Sequence, residues 1–207
     1  MPIHWPEATV RGRELTVFIT PAASRSLVWM NVLGHLLKEF NAVSKAHKLP
    51  IRMKASTQPP KEGAGADVAI NIATDKINLT FPGLDPISET FGATQKHGRT
   101  LLLDRRNELL KAFVYLPATP QVNTPSGMRA VGPKVLTVIA LHELLHACAL
   151  ENRDHGDSGL FQANPPVNPG DRPIQDTVSV KPNAYGAMPP YKIDDATVQT
   201  LIDRWTL

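Results

Sequence analysis

One long apolar segment sets the main constraint on the fold. Residues 132–151 (GPKVLTVIALHELLHACALE) place apolar side chains on almost every face of a helix that Pro133 can open. Such a helix must be covered from several sides by the rest of the chain. With 207 residues, of which 42% are hydrophobic and 20% charged, we expect one domain, or one with a small appendage, around this helix. No apolar run reaches the roughly 18 residues of a membrane span, so no membrane partner is expected.

Shorter apolar segments before this helix are predicted to be five β-strands, at residues 15–19, 51–55, 67–72, 99–103 and 112–116. The last two flank a polar run and could form a hairpin. Between the first two strands, apolar residues at three- and four-residue steps from Leu27 predict one helix from near Ser24 to Phe40. The pattern is typical of an α+β domain with a twisted, mixed five-stranded sheet and two long helices.

The C-terminal part has a different character. Residues 156–192 are rich in proline and are expected to be irregular. A final amphipathic helix is predicted from Asp194 or Asp195 to Trp205. We therefore divide the chain into a subdomain at 1–155, with the sheet and the apolar helix, and a subdomain at 156–207.

Charge, cysteine content and the first residues exclude several classes of protein. The net charge of +3 combines an excess of six positive charges in residues 1–150 with an excess of three negative charges in 151–207. Without a basic-aromatic stripe, a nucleic-acid partner is not expected, although the basic part could favour an anionic polymer. The single cysteine, Cys148, is expected to be a buried, inert thiol. The first ten residues lack the order of a signal peptide, which favours synthesis in the cytosol.

The apolar helix carries the motif His-Glu-x-x-His at His142, Glu143 and His146. Residues four apart share a helical face, so both imidazoles can bind one metal ion while Glu143 lies beside it. Buried histidines and a buried carboxylate need compensation for lost hydration, and metal coordination would supply it. The motif therefore predicts a site for one zinc ion with an adjacent general base.

A catalytic zinc ion takes three protein ligands and keeps one position open. After Glu143 the sequence contains one further glutamate, Glu151, which is too close along the same helix to turn back. His155 is the remaining histidine and the candidate third ligand. Asp154 or Asp157 could take its place, because carboxylates also bind zinc.

At these residues the sequence resembles the metzincin superfamily of zinc peptidases, whose motif is His-Glu-x-x-His-x-x-Gly-x-x-His. Residues 187–191 (AMPPY), followed by the acidic-capped helix, are similar to the end of the matrixin-like branch. Ala149 stands at the glycine position and Asn152 at the third histidine, so His155 comes three residues late. Three residues are almost one turn, and we therefore expect a longer helix with Asn152 as its left-handed cap.

The resemblance implies further roles and an α/β/α-like fold. Met188 corresponds to the methionine of the turn beneath the metal. Tyr185 and Tyr191 flank it and are weaker candidates for stabilising a transition state, since Tyr191 is one residue further on than the family pattern. The residues that correspond to the substrate-binding edge strand are Arg99, Thr100, Leu101, Leu102 and Leu103.

These features predict a zinc endopeptidase in which Glu143 is the general base and the partner is a peptide or protein substrate. Two alternatives stay open. The basic N-terminal part is compatible with a zinc peptidase or amidase that acts on the peptides of bacterial cell wall. The fold could also serve a non-catalytic interaction protein. A monomer is favoured.

Overall fold

Short strands and helices alternate along the chain. The computed structural model describes residues 3–95, 97–124, 127–154 and 193–206. Within them the strands are β1 Glu14–Ile19, β2 Arg52–Ala55, β3 Val68–Ala73, β4 Lys76–Leu79, β5 Ile87–Thr90, β6 Arg99–Arg105, β7 Glu108–Pro117, β8 Gln121–Thr124 and β9 Gly127–Ala130. The helices are α1 Glu7–Gly12, α2 Pro21–Ser24, α3 Met30–Leu33, α4 Leu36–Ala46, α5 Pro133–Ala147 and α6 Asp195–Arg204, with a 3₁₀ turn at Asn152–Asp154.

Five strands form one mixed sheet in the order β2-β1-β3-β7-β6. All neighbours are parallel except β6 and β7, which are antiparallel. The five predicted strands and the hairpin are thereby confirmed. Arg106 and Asn107 between β6 and β7 have φ values of 56° and 68°, as a tight hairpin turn with the twist of the strands requires. The pairs β4-β5 and β8-β9 were not predicted.

The two faces of the sheet have different covers. Val68, Ile70 and Val114 point into the main core, where α4 and α5 pack. The alternate residues Ala69 and Phe113 point into a second cluster to which β4 and the segments around it contribute. Both longer helices therefore lie on one face, and α5 packs over β7 and the edge strand β6.

The single helix predicted from Ser24 to Phe40 is wrong, because this stretch divides into α2, α3 and α4. Leu27, which the helical spacing placed on the apolar stripe, is 89% exposed. Trp29 is buried instead, and its indole N–H donates to the carbonyl oxygen of Pro117 at 2.7 Å. This bond fixes the chain at the end of β7, so tertiary contacts override the local periodicity.

Helix α5 is buried as predicted but ends earlier, at Ala147. Its last carbonyl groups are satisfied by side chains from distant parts of the chain. The Trp5 indole donates to Ala147 O at 3.0 Å, and the Trp205 indole donates to Cys148 O at 2.9 Å. The Arg204 guanidinium donates to the carbonyl oxygen of Ala149. These bonds satisfy acceptors that a helix end leaves open.

The final helix α6 is confirmed. Asp194 caps it, accepting hydrogen bonds from the Thr197 amide at 3.0 Å and the Thr197 hydroxyl at 2.6 Å. The expectation of an irregular segment at 156–192, and with it most of the second subdomain, lies outside the described residues. Among the helices of the described ranges, none combines the length and the apolar character needed to cross a bilayer.

Candidate active site

His142 and His146 bring their imidazole rings together on one face of α5. Their Nε2 atoms are 3.1 Å apart, and the ring planes meet at 66°. His146 is 7% exposed, and His142 is half-buried. The four-residue spacing thus brings two ring nitrogen atoms to within 3.1 Å of each other.

A backbone carbonyl fixes the tautomer of His146. Its Nδ1 lies 2.7 Å from Leu150 O. Since a carbonyl oxygen accepts, Nδ1 carries the proton and donates, and in the neutral ring the lone pair is then on Nε2, facing His142. A hydrogen bond of this kind orients histidine ligands in metal sites.

The left-handed residue that turns the chain towards this carbonyl is Ala149, with φ of 74°. The expected extra helical turn with Asn152 as its cap is therefore wrong. Ala149 adopts the conformation at the position where the metzincin motif has glycine, and Asn152 opens the 3₁₀ turn instead. The contacts of Arg204 and Trp205 with the carbonyls of residues 148 and 149 hold this early exit.

Glu143 is 3% exposed and faces the N-terminal end of β6. The Thr100 hydroxyl donates to Glu143 Oε2 at 2.6 Å and also lies 3.1 Å from the Glu143 carbonyl oxygen. Burial raises the pKa of the Glu143 carboxyl to about 7, while the Thr100 hydrogen bond and the charge of Arg99 act in the opposite direction. A carboxylate with a pKa near neutrality suits a general base.

Gly98 makes room for this carboxylate. A Cβ atom on Gly98 would lie 2.5 Å from Glu143 Cγ and 2.8 Å from Cδ. Any other residue at position 98 would therefore displace the Glu143 side chain or the start of β6. The absence of a side chain here is required by close approach, not by backbone conformation.

A cleft of about 390 Å³ runs between β6 and the end of α5. Arg99, Thr100, Leu101 and Leu102 line one side of it, and His146 belongs to the other. β6 is the edge strand of the sheet among the described residues, and there one row of its backbone groups has no strand partner. The predicted substrate strand therefore borders the histidine pair.

The side chains of this strand differ in their surroundings. Leu101 and Leu103 are buried in the second cluster on the opposite face of the sheet. Leu102 packs against the main core beneath α5. Arg99 forms a two-point contact with the Glu89 carboxylate, at 3.2 and 3.3 Å. Leu101 and Leu102 also belong to the lining of the cleft, so the strand contributes apolar as well as polar residues to it.

Asp154, an alternative third ligand, is engaged elsewhere. Its Oδ2 accepts from the Glu151 amide at 2.6 Å and forms an ion pair with Arg204 at 2.8 Å. The remaining predicted residues lie outside the described residues: His155, Asp157, Tyr185, Met188 and Tyr191. Within the described ranges no group of three or more His, Cys, Asp or Glu side chains converges as a metal site.

The histidine pair fits a zinc ion. Two nitrogen ligands, each at about 2.0–2.1 Å from zinc in tetrahedral geometry, lie roughly 3.3 Å apart. The observed separation of 3.1 Å between the Nε2 atoms is close to this value. The bond between His146 and Leu150 O adds the outer support that such ligands commonly have. A third protein ligand would have to come from residues beyond Asp154.

Sequence reasoning missed the contribution of Thr100 and Gly98 to the placement of Glu143. It assigned Thr100 to the substrate strand, and nothing local marks Thr100 as a partner of α5. A glycine directly before a predicted strand was the available signal, because glycine permits close backbone approach. Cys148 is buried as predicted, and burial raises the pKa of its thiol.

This chain matches no model of a known protein family and no curated protein sequence.

Proposed function

We propose that this protein is a zinc-dependent endopeptidase. The observation that carries the proposal is the convergence of the His142 and His146 Nε2 atoms, 3.1 Å apart, next to the buried Glu143 carboxylate and the edge strand β6. Two nitrogen ligands, an adjacent base and an extended binding edge are the parts that amide hydrolysis needs.

His142, His146 and His155 are proposed as the protein ligands of one zinc ion. The first two share the face of α5, and Leu150 O keeps the His146 lone pair on Nε2. His155 follows directly after the 3₁₀ turn, whose Asn152 lines the same cleft as His146. When bound, zinc supplies a water molecule of lowered pKa and polarises the carbonyl group of the substrate.

Glu143 handles the proton in this proposal. Its carboxylate takes a proton from water and returns it to the departing amine. The Thr100 hydroxyl holds Oε2 at 2.6 Å, which fixes the carboxylate plane before substrate binds. Orientation of this kind lowers the entropy cost of the reaction.

The substrate is proposed to bind as an extended peptide along β6. Edge-strand pairing provides main-chain hydrogen bonds with little dependence on sequence. Arg99 at the start of the strand places a positive charge near the cleft and forms an ion pair with Glu89. Met188 is proposed to lie beneath the metal site, as the methionine of the family pattern does. Tyr185 and Tyr191 are proposed as residues that stabilise the transition state.

Metal analysis combined with a peptide-library assay tests the function. Wild-type protein and Glu143→Gln are expected to bind one zinc ion each, and turnover is expected in the wild type alone. His146→Ala is expected to lose both zinc and turnover. Full zinc binding without turnover on casein, the library or purified cell-wall peptides would instead support the non-catalytic alternative. Turnover confined to wall peptides would assign the substrate class to bacterial wall.

A further inference from the structure

A second concave site lies at β2, the edge of the sheet opposite to β6. Its cavity of about 560 Å³ is formed by the C-terminal part of α4, the connection from α4 to the first residue of β2, and Arg13 just before β1. Cationic residues line it from two stretches of the chain: Arg13 from one, and Lys45, Lys48 and Arg52 from the other. None of its described lining residues is acidic. The cavity therefore concentrates positive charge at a place distant from the histidine pair.

The backbone around the cavity is held by hydrogen bonds between these segments. The Asn41 amide group bonds both the N–H and the carbonyl of Met53, at 2.8 and 2.9 Å. The buried Ser44 hydroxyl donates to Ile51 O at 2.5 Å, and the Arg52 amide donates to Arg13 O at 2.9 Å. The cations are thus attached to a frame that is fixed before any ligand binds.

The positive charges are not neutralised within the described part of the chain. No carboxylate there lies within 4.0 Å of Arg13, Lys45, Lys48 or Arg52. Glu14 is the register partner of Arg52 on β1, but it does not line the cavity and forms no ion pair with Arg52. Like charges around one cavity repel each other, and a bound anion would relieve this repulsion.

Two of the cations occupy backbone positions that usually favour glycine. Arg13 and Lys48 have φ values of 53° and 55° after α1 and α4, respectively. A side chain in this left-handed region costs free energy that glycine avoids. A lysine near a helix C-terminus interacts favourably with the helix dipole, which accounts for a positive charge at Lys48. The helix dipole does not account for the positive charge at Arg52, which is in a strand.

We propose that this cavity binds a compact anion that carries several phosphate groups. Its volume is in the range of small-molecule sites, and guanidinium groups match the oxygen atoms of phosphate in geometry and charge. Four cations would be only partly neutralised by a single phosphate group. The described lining contains no aromatic side chain for base stacking, and a compact ligand is therefore favoured over a nucleic-acid strand.

Calorimetric titration of the full chain with inorganic tripolyphosphate tests this site. Tripolyphosphate is expected to bind in a 1:1 ratio, about tenfold or more tightly than orthophosphate, and more weakly as NaCl increases. The double variant Lys48→Ala/Arg52→Ala is expected to bind about tenfold or more weakly than wild type. Lys38→Ala/Lys54→Ala removes the same net charge from exposed positions outside the cavity and is expected to bind as wild type.

Lys48→Gly separates ligand binding from folding. Glycine accepts the left-handed conformation of residue 48, so this variant is expected to keep or raise the melting temperature while it loses affinity. Equal affinity of wild type and Lys48→Ala/Arg52→Ala, or equal losses in the two double variants, would overturn the proposal. Tighter binding of a DNA duplex than of tripolyphosphate, lost in the same variants, would also overturn it in favour of a nucleic-acid surface.

Discussion

The Thr100 hydroxyl and the Glu143 carboxylate are joined by a hydrogen bond of 2.6 Å between the edge strand β6 and the motif helix α5. This bond connects the strand proposed to bind the peptide with the side chain proposed to move the proton. Because the Glu143 carboxylate is buried, loss of the Thr100 hydroxyl would remove a hydrogen-bond partner from a buried polar group. The register of β6 therefore affects the position of the base directly.

Thr100→Val should reduce turnover without preventing folding, because valine keeps the shape of threonine but cannot donate a hydrogen bond. We expect kcat to fall about 10- to 100-fold, as is common when an outer partner of a site residue is removed. Thr100→Ser restores the hydroxyl and should recover most of the activity. Steady-state kinetics on a peptide substrate measures both, and equal kcat values for the valine variant and wild type would contradict this role.

Gly98→Ala should destabilise the protein by about 1–3 kcal/mol, because its Cβ would overlap the Glu143 side chain. If the overlap with Glu143 is the cause, Glu143→Ala should suppress much of the loss. A double-mutant cycle by urea denaturation is expected to give a coupling free energy of about 1 kcal/mol or more. Additive effects of the two substitutions would contradict the direct contact.

The free energy of unfolding of the metal-free protein should depend on pH through Glu143. Its pKa is raised from 4.5 to about 7 in the folded state, so the unfolded chain releases its proton first as pH rises. The contribution of this group to the free energy of unfolding is therefore fully present below pH 4.5 and is lost by about pH 7. At about 1.4 kcal/mol per pH unit, the total loss is about 3 kcal/mol.

Denaturation of wild type and Glu143→Gln between pH 4 and pH 8 isolates this contribution as the difference between the two curves. Glu14→Gln, at an exposed position, is the matched control and should follow the wild-type curve. Parallel curves for wild type and Glu143→Gln would show that the carboxyl does not gain a proton on folding.

Ala149→Gly should stabilise the protein by up to about 1 kcal/mol, because glycine adopts φ of 74° without a side-chain penalty. The same substitution at Ala147, the last residue of α5, should destabilise it by about 1 kcal/mol or more. Thermal denaturation of the two variants gives the sign of each effect. A loss of stability in Ala149→Gly would mean that the Ala149 methyl group contributes more by packing than it costs in conformation.

The sheet and the motif geometry were largely predictable from sequence. The five central strands are short apolar runs bounded by turn residues, and the helical spacing of His142 and His146 determines that their rings share a face. The outer hairpin β4-β5 was not recognised, because its few apolar residues pack on a surface that exists only after the central sheet has formed.

Features that depend on distant partners could not be predicted. The Thr100–Glu143 bond joins residues 43 positions apart and requires the β6-β7 register. The end of α5 was misplaced because Asn152 is the better left-handed residue by local preference, whereas Ala149 is held in that conformation by Trp205 and Arg204. The single helix predicted around Leu27 does not form for a similar reason, because Trp29 donates a hydrogen bond to the distant Pro117 carbonyl.

The hydrogen bonds at the end of α5 also determine how much of the chain must be synthesised before this part of the fold is complete. The carbonyl of Ala147 is reached from Trp5, 142 positions away, and that of Cys148 from Trp205, 57 positions further on. A nascent chain that has emerged only to residue 150 already contains the whole His-Glu-x-x-His sequence, yet it lacks the indole and guanidinium groups that fix the following turn. The complete set of hydrogen bonds at the end of α5 can therefore form only once residues 204 and 205 are available.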